Sequence, residues 1–218
     1  MQGTKAAFLH DWAAGQGRAF LRFDYTGHGA SSGAFEDGCI GDWLRDARDV
    51  LEALTQGPQI LVGSSMGGWI ALLLLRAVPE RIAALVGIAA APDFTEESMR
   101  RGMSRAQREA LRRDGRIEVP SAYAEEPTVV TRRLIEDGRR HLVLRAPLAA
   151  PCPVRLLHGM ADRDVPWETA TRLARHMDGE DVRVTLLRDG DHRLSEDRDL
   201  ALLAETIHTL PDPAKGKE

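Results

Sequence analysis

Gly57-Pro58-Gln59-Ile60-Leu61-Val62-Gly63-Ser64-Ser65-Met66-Gly67-Gly68-Trp69-Ile70-Ala71-Leu72-Leu73-Leu74-Leu75 is the stretch whose reading decides the fold. Gly57-Pro58 ends whatever precedes it, Ile60 to Val62 has the apolar character of a buried strand, and Trp69 to Leu75 continues as an apolar helix. Between strand and helix stands G-x-S-x-G, Gly63 to Gly67. A turn this sharp presses the two backbones together, so the residues two before and two after the serine are expected to lack side chains. Ser65 is thereby exposed on a strained turn, with the positive end of the following helix beneath any charge that develops beside it. Ser65 is the candidate nucleophile.

Outward from this unit the chain alternates short apolar runs with segments of helical period, the pattern of parallel β-α-β units. Five runs are of strand length: Ala19 to Asp24, Gln59 to Gly63, Ala84 to Ala90, Val154 to His158 and Val182 to Leu187. Trp43, Leu44, Ala47, Val50, Leu51 and Leu54 fall at helical spacing between the first two. Further helices are expected at Thr4 to Ala13, Met66 to Val78, Thr169 to Met177 and Arg198 to Leu210. The sum is a single α/β domain over residues 1–218 with a mostly parallel, doubly wound sheet. From about Thr95 to Arg145 the rhythm breaks, with no convincing strand and short helices expected around Arg105 to Arg113 and Val129 to Arg140. We read this as a small helical lid inserted over the sheet. It carries 12 arginines against 9 acids, which is either a solvated helix face or a mildly basic cover that attracts an anionic substrate.

A serine needs a base, and the base a group that orients it. The late chain supplies both at the carboxyl edge of the sheet, where open α/β sheets form their crevices. Gly159-Met160-Ala161-Asp162-Arg163-Asp164-Val165-Pro166 follows one strand, and Arg188-Asp189-Gly190-Asp191-His192-Arg193 follows the next. His192 is preferred by position among seven histidines. His28 lies in a glycine loop that is able to line the site, His158 ends a strand and reads as structural, and His10, His141, His176 and His208 have no special placement. Asp162 is the preferred acid, with Asp164, Asp189 and Asp191 as alternatives. Asp191 is too near His192 in sequence to reach the far ring nitrogen.

Composition narrows the classes. With 218 residues, 43% hydrophobic and 28% charged, the chain is that of a folded globular protein. A net charge of −4 argues against a general nucleic-acid binder. The longest apolar run, Trp69 to Leu75, is far short of the roughly 20 residues of a membrane span. Two cysteines, Cys39 and Cys152, and no secretory pattern in the residues as written lead to an expectation of a cytoplasmic protein. Histidines and acids without short ligand spacing give no support for a metal site such as zinc.

Arg22-Phe23-Asp24-Tyr25-Thr26-Gly27-His28-Gly29-Ala30-Ser31-Ser32-Gly33 resembles the loop after strand four of the α/β-hydrolase superfamily, and His158 to Pro166 resembles its acid loop. Within the superfamily, Gly57 to Trp69, Cys152 to Met160, Asp191-His192-Arg193 and Val119-Pro120-Ser121-Ala122-Tyr123 are similar to the branch of mitochondrial palmitoyl-protein thioesterases and their bacterial relatives. The resemblance implies the α/β-hydrolase fold, with Ser65 as nucleophile, Asp162 as acid, His192 as base and the Met66 amide as one oxyanion donor. It implies acyl transfer to water from an ester or thioester, acyl-glucuronides included, with a small-molecule or acyl-protein substrate and no cofactor. One departure is plain: Gly3-Thr4-Lys5-Ala6 matches the family's first helix, so the family's first strands and its second oxyanion donor have no counterpart after Met1. The expectation is that the natural chain begins upstream; the other outcome is that Ala19 to Asp24 and Gln59 to Gly63 pair directly. Rival readings are a catalytically impaired hydrolase-like binding protein, and a peptidase or carbon–carbon bond hydrolase built on the same three residues.

Overall fold

The computed structural model describes residues 1–120 and 127–212; Ser121, Ala122 and Tyr123 of the resemblance lie outside the described residues. In chain order the elements are α1 (Thr4–Gly15), α2 (Ile40–Leu54), β1 (Gln59–Ser64), α3 (Met66–Ala77), β2 (Ile82–Ile88), α4 (Arg105–Asp114), β3 (Arg116–Val119), β4 (Thr128–Thr131), α5 (Arg132–Gly138), β5 (Leu148–Ala149), β6 (Val154–Gly159), α6 (Glu168–His176), β7 (Met177–Asp178), β8 (Val182–Leu187) and α7 (Asp197–His208). The central sheet has the order β1-β2-β6-β8, and every ladder in it is parallel.

Helices cover both faces. On one side α2 turns Ile40, Trp43, Ala47 and Leu51 inward at helical spacing, beside Ile70 and Leu72 of α3 and Leu173 of α6. On the other, Leu9 of α1 and Leu203 and Ile207 of α7 pack against Ala84, Val86 and Ile88 of β2. Such two-sided cover explains why β2 is an unbroken apolar run rather than an alternating one. Its bounds lie two residues earlier than the expected Ala84 to Ala90.

Three expectations are corrected. Ala19 to Asp24 is no strand: among the described residues no ladder joins it to β1 or to any other segment. A β-favouring composition makes a strand only where another strand accepts its backbone bonds, and direct pairing with Gln59 to Gly63 does not occur. The expected helix from Val129 begins as a strand, because the β-branched run Thr128–Thr131 pairs antiparallel with Arg116–Val119. The stretch expected to lack strands therefore contains a hairpin between two short helices. Its α4 begins with a reciprocal capping box of Ser104 and Gln107 and ends at Gly115 in the left-handed region, φ 77°.

The insertion is tied to the sheet at its root. Asp93, 1% exposed, accepts the backbone N–H groups of Val143 (2.8 Å) and Leu144 (3.0 Å). Burial raises the Asp93 carboxyl above its ordinary range, opposed by those two N–H groups. Trp69 Nε1 donates to the His141 carbonyl and Arg76 to that of Leu142. Asp137 of α5 accepts from the Gly41 N–H at 2.7 Å, satisfying an orphan donor in the first turn of α2.

Candidate active site

Ser65 has φ 52° and ψ −118°, one of four non-glycine residues at positive φ among those described. This is costly backbone for a serine, and the surroundings impose it. A Cβ at Gly63 would stand 2.3 Å from the Gly67 carbonyl oxygen, so position 63 admits only glycine. Gly67 is different from expectation: a Cβ there would meet only the Tyr25 hydroxyl, at 4.0 Å. The tight position is Gly68, where a Cβ would lie 2.6 Å from that of Ala90. Close approach on the helix side thus falls one residue later, because it is set by the β2 loop rather than by the turn alone. The Ser65 N–H donates to Ile88 and its carbonyl accepts from Ala91, which sews the turn to the end of β2. The N–H groups of Met66 and Gly67 open α3 and have no carbonyl four residues back within the helix.

The two late loops converge on this turn. His192 Nε2 lies 3.0 Å from Ser65 Oγ, and its Nδ1 lies 2.8 Å from Asp162 Oδ2. With a carboxylate accepting at one nitrogen, Nδ1 carries the hydrogen and Nε2 is left to accept from the hydroxyl. The Asp162 carboxylate is fully buried and the His192 ring is 15% exposed. Asp162 Oδ1 accepts the N–H groups of Asp164 (2.8 Å) and Val165 (2.9 Å), closing its own turn. Of the sequence candidates, then, Ser65, Asp162 and His192 are brought together. Asp164 is exposed and holds the Asp162 turn through its backbone. The Asp191 carboxylate accepts from the Leu194 N–H, and so serves its own loop. His28 packs edge-on against Tyr25, Phe35 and Trp43.

What joins the two loops is a backbone contact that sequence reasoning missed. Gly159, ending β6, lies so close to the neighbouring loop that a Cβ would fall 2.1 Å from the Gly190 carbonyl oxygen. The same carbonyl accepts the Ala161 N–H at 2.9 Å. Lys5 makes a second such contact: its ammonium donates to the Arg193 carbonyl, next to His192, and lies 3.3 Å from Ser195 Oγ. Burial lowers the Lys5 ammonium from its ordinary value, against the pull of Asp191. No local pattern marks either residue, since both contacts span distant parts of the chain.

Asp162, Asp164 and His192 offer ligand atoms within 4.8 Å of one another. The Asp162 oxygens are already met by two backbone N–H groups and the imidazole, so this set is arranged for hydrogen bonding rather than for a cation. The arginines of the insertion are largely paired: Arg100 and Arg139 with Glu96, Arg101 with Glu97, Arg105 with Glu109, Arg133 with Asp42 and Arg140 with Asp137. That pairing favours the solvated-face reading over an anion-attracting cover. No helix among the described residues is long and apolar enough to cross a membrane.

The sequence profile of the alpha/beta hydrolase family matches residues 4–206. The mitochondrial palmitoyl-protein thioesterase ABHD10 of Homo sapiens is 39% identical over 213 residues, 97% of this chain and 69% of that protein. Among solved structures, a protein of Agrobacterium vitis S4 superposes with a TM-score of 0.92 at 45% identity, over 95% of this chain and 82% of that one. The alpha/beta hydrolase domain-containing protein 10 from mouse superposes with a TM-score of 0.87 at 38% identity, over 95% and 83%. The curated relatives are named as mitochondrial, which overturns the expectation of a cytoplasmic protein. Two cysteines do not single out the cytoplasm, because it is not the only reducing compartment. The chain belongs to the alpha/beta hydrolase family.

Proposed function

We propose that this hydrolase cleaves acyl esters or thioesters through an acyl-enzyme on Ser65, with His192 as base and Asp162 as its orienting acid. The observation that carries the reading is the unbroken relay from Ser65 Oγ to His192 Nε2 at 3.0 Å and from Nδ1 to a buried carboxylate at 2.8 Å. Ser65 Oγ attacks the carbonyl carbon while His192 Nε2 takes its proton, and Asp162 stabilises the imidazolium so formed. The oxyanion faces the start of α3, where the Met66 N–H is free to donate and the helix dipole favours negative charge. His192 returns the proton to the departing alcohol or thiol. Water then enters, gives a proton to His192 and splits the acyl-serine, which restores the hydroxyl and releases the acid.

The substrate class rests on the relatives, which are named palmitoyl-protein thioesterases; a small-molecule or acyl-protein thioester or ester is the inferred substrate. We read residues 1–218 as one domain in which residues 95–145 form the lid. That segment leaves the carboxyl end of β2, the same edge at which Ser65, Asp162 and His192 meet. The test is labelling by a fluorophosphonate probe, with Ser65→Ala as control. Labelling of folded wild type that disappears in the variant is expected; its absence in wild type rejects the serine mechanism and favours a binding protein. Turnover is then compared on p-nitrophenyl esters of two to sixteen carbons, a palmitoyl thioester and an acyl-glucuronide. Negligible hydrolysis of all three rejects the substrate class and leaves a peptidase or carbon–carbon bond hydrolase.

A further inference from the structure

His158 is 1% exposed, and its side chain is polar where β6 otherwise buries Val154, Leu156 and Leu157. An imidazole hidden from water is retained at a cost unless its nitrogens are used. Its Nε2 donates to the Val165 carbonyl at 3.0 Å and lies 3.2 Å from Asp162 Oδ2. Both neighbours are acceptors, so Nε2 carries the hydrogen. Oδ2 is also the oxygen that receives His192 Nδ1 at 2.8 Å. The Val165 residue approached by His158 donates its own N–H to Asp162 Oδ1. One ring thus holds the far end of the acid turn through a carbonyl and stands against the reactive oxygen of the same carboxylate.

We propose that His158 is a positioning residue for Asp162: through Nε2–H it fixes the 162–165 turn and the direction in which Oδ2 faces His192. The inference rests on the serine-hydrolase reading above for its effect on rate, but not for its effect on geometry. Removing the donor frees the turn and lets the carboxylate rotate within its pocket. His192 then loses its alignment with Ser65, while the surface that binds substrate is untouched. Loss of the hydrogen bond that holds the turn supports an expected fall on the order of tenfold in kcat.

The test compares His158→Gln, whose amide nitrogen reaches the place of Nε2, with His158→Asn, whose amide nitrogen reaches only that of Nδ1, and with His158→Leu. Each full chain is measured for thermal midpoint, fluorophosphonate labelling rate, kcat and KM on p-nitrophenyl acetate, and the low-field proton resonance of His192 Nδ1–H. His158→Gln is expected to keep the rate and the resonance. His158→Asn and His158→Leu are expected to lose about tenfold in kcat and labelling rate with KM unchanged, and to displace the resonance. Equal behaviour of the Gln and Asn variants, at either level, overturns the proposal, and this comparison stands even where the Leu variant fails to fold. Wild type without Ser65-dependent labelling rejects the serine mechanism instead, and the resonance then still decides whether His158 sets the Asp162–His192 contact.

Discussion

Gly159→Ala tests whether the two late loops are held together by backbone contact. The added Cβ would lie 2.1 Å from the Gly190 carbonyl oxygen, 2.4 Å from its carbon and 2.7 Å from the Asp191 oxygen. Real Cβ atoms essentially never come within 3.0 Å of such atoms, so relief requires a displacement of at least 3.0 − 2.1 = 0.9 Å. The clashing atoms are backbone, so no side chain is able to swing aside. Ladder bonds hold Gly159 against Leu187, and the Gly190 N–H is bonded to the Leu187 carbonyl, so the part that yields is the loop leading to His192. A shift of about 1 Å between reacting groups costs on the order of 100-fold in rate. Overpacking of this kind costs about 1–3 kcal/mol of stability, a fall in Tm of about 2–12 °C for a chain of this size. The assay is the rate of fluorophosphonate labelling beside a thermal melt, with Gly102→Ala, which meets nothing within 4 Å, as the matched control. Labelling and melting of Gly159→Ala at wild-type values would refute the reasoning.

Other outcomes follow from single contacts. Ser65→Ala and His192→Ala are expected to reduce turnover of p-nitrophenyl esters to the same low level, because relay members act as a unit; a His192→Ala variant near the wild-type rate shows that another group is the base. Asp93→Ala leaves the Val143 and Leu144 N–H groups buried without an acceptor and is expected to cost about 2–6 kcal/mol in denaturant unfolding, at about 1–3 for each. Unchanged stability would mean that the root of the insertion is held by other contacts. Burial, with the Asp42 carboxylate beside it, pushes the Cys39 thiol up to about 11 from an ordinary 9.0. Cys39 should therefore resist iodoacetamide at pH 8 until the chain is unfolded. Because the folded value is the higher one, the contribution of this group to stability is full below pH 9 and is lost as pH rises through about 11. Rapid native alkylation at Cys39 would contradict that environment.

Most of the sheet could be read from local pattern because β2, β6 and β8 are short apolar or β-branched runs closed by turn residues. Ala19 to Asp24 misled for a physical reason: strand character lies in the residues, but a strand lies in the pairing. Val129 misled because its spacing fits a helix as well as a strand, and the hairpin partner Arg116–Val119 carries the deciding information. At the site, the G-x-S-x-G turn and the two late loops after strands point to Ser65, Asp162 and His192, which the fold brings within hydrogen-bonding distance. The glycine requirement after the serine was placed one residue early, since Ala90 sets it from across the sheet. His158 was read as structural because nothing in its own strand indicates a buried carboxylate four residues on. In each of these cases the missing term was tertiary.

Asp93 has a consequence for the insertion as a whole. Its backbone carbonyl accepts from Glu96 and Glu97 at the entrance, while its carboxylate grips Val143 and Leu144 at the exit. A single residue therefore staples the two ends of a fifty-residue excursion, beside the contacts that Asp137, His141 and Leu142 make with α2 and α3. Lengthening a loop whose ends are already joined costs little, roughly 0.6 kcal/mol for each doubling. The part of the segment that packs on itself, around Leu111, Ile117 and Val130, is thus freer to change in length and sequence than the stretch from Leu134 to Leu144, which packs and bonds against α2 and α3. Selectivity for a new acyl group or leaving group is able to evolve there while the chemistry is left alone.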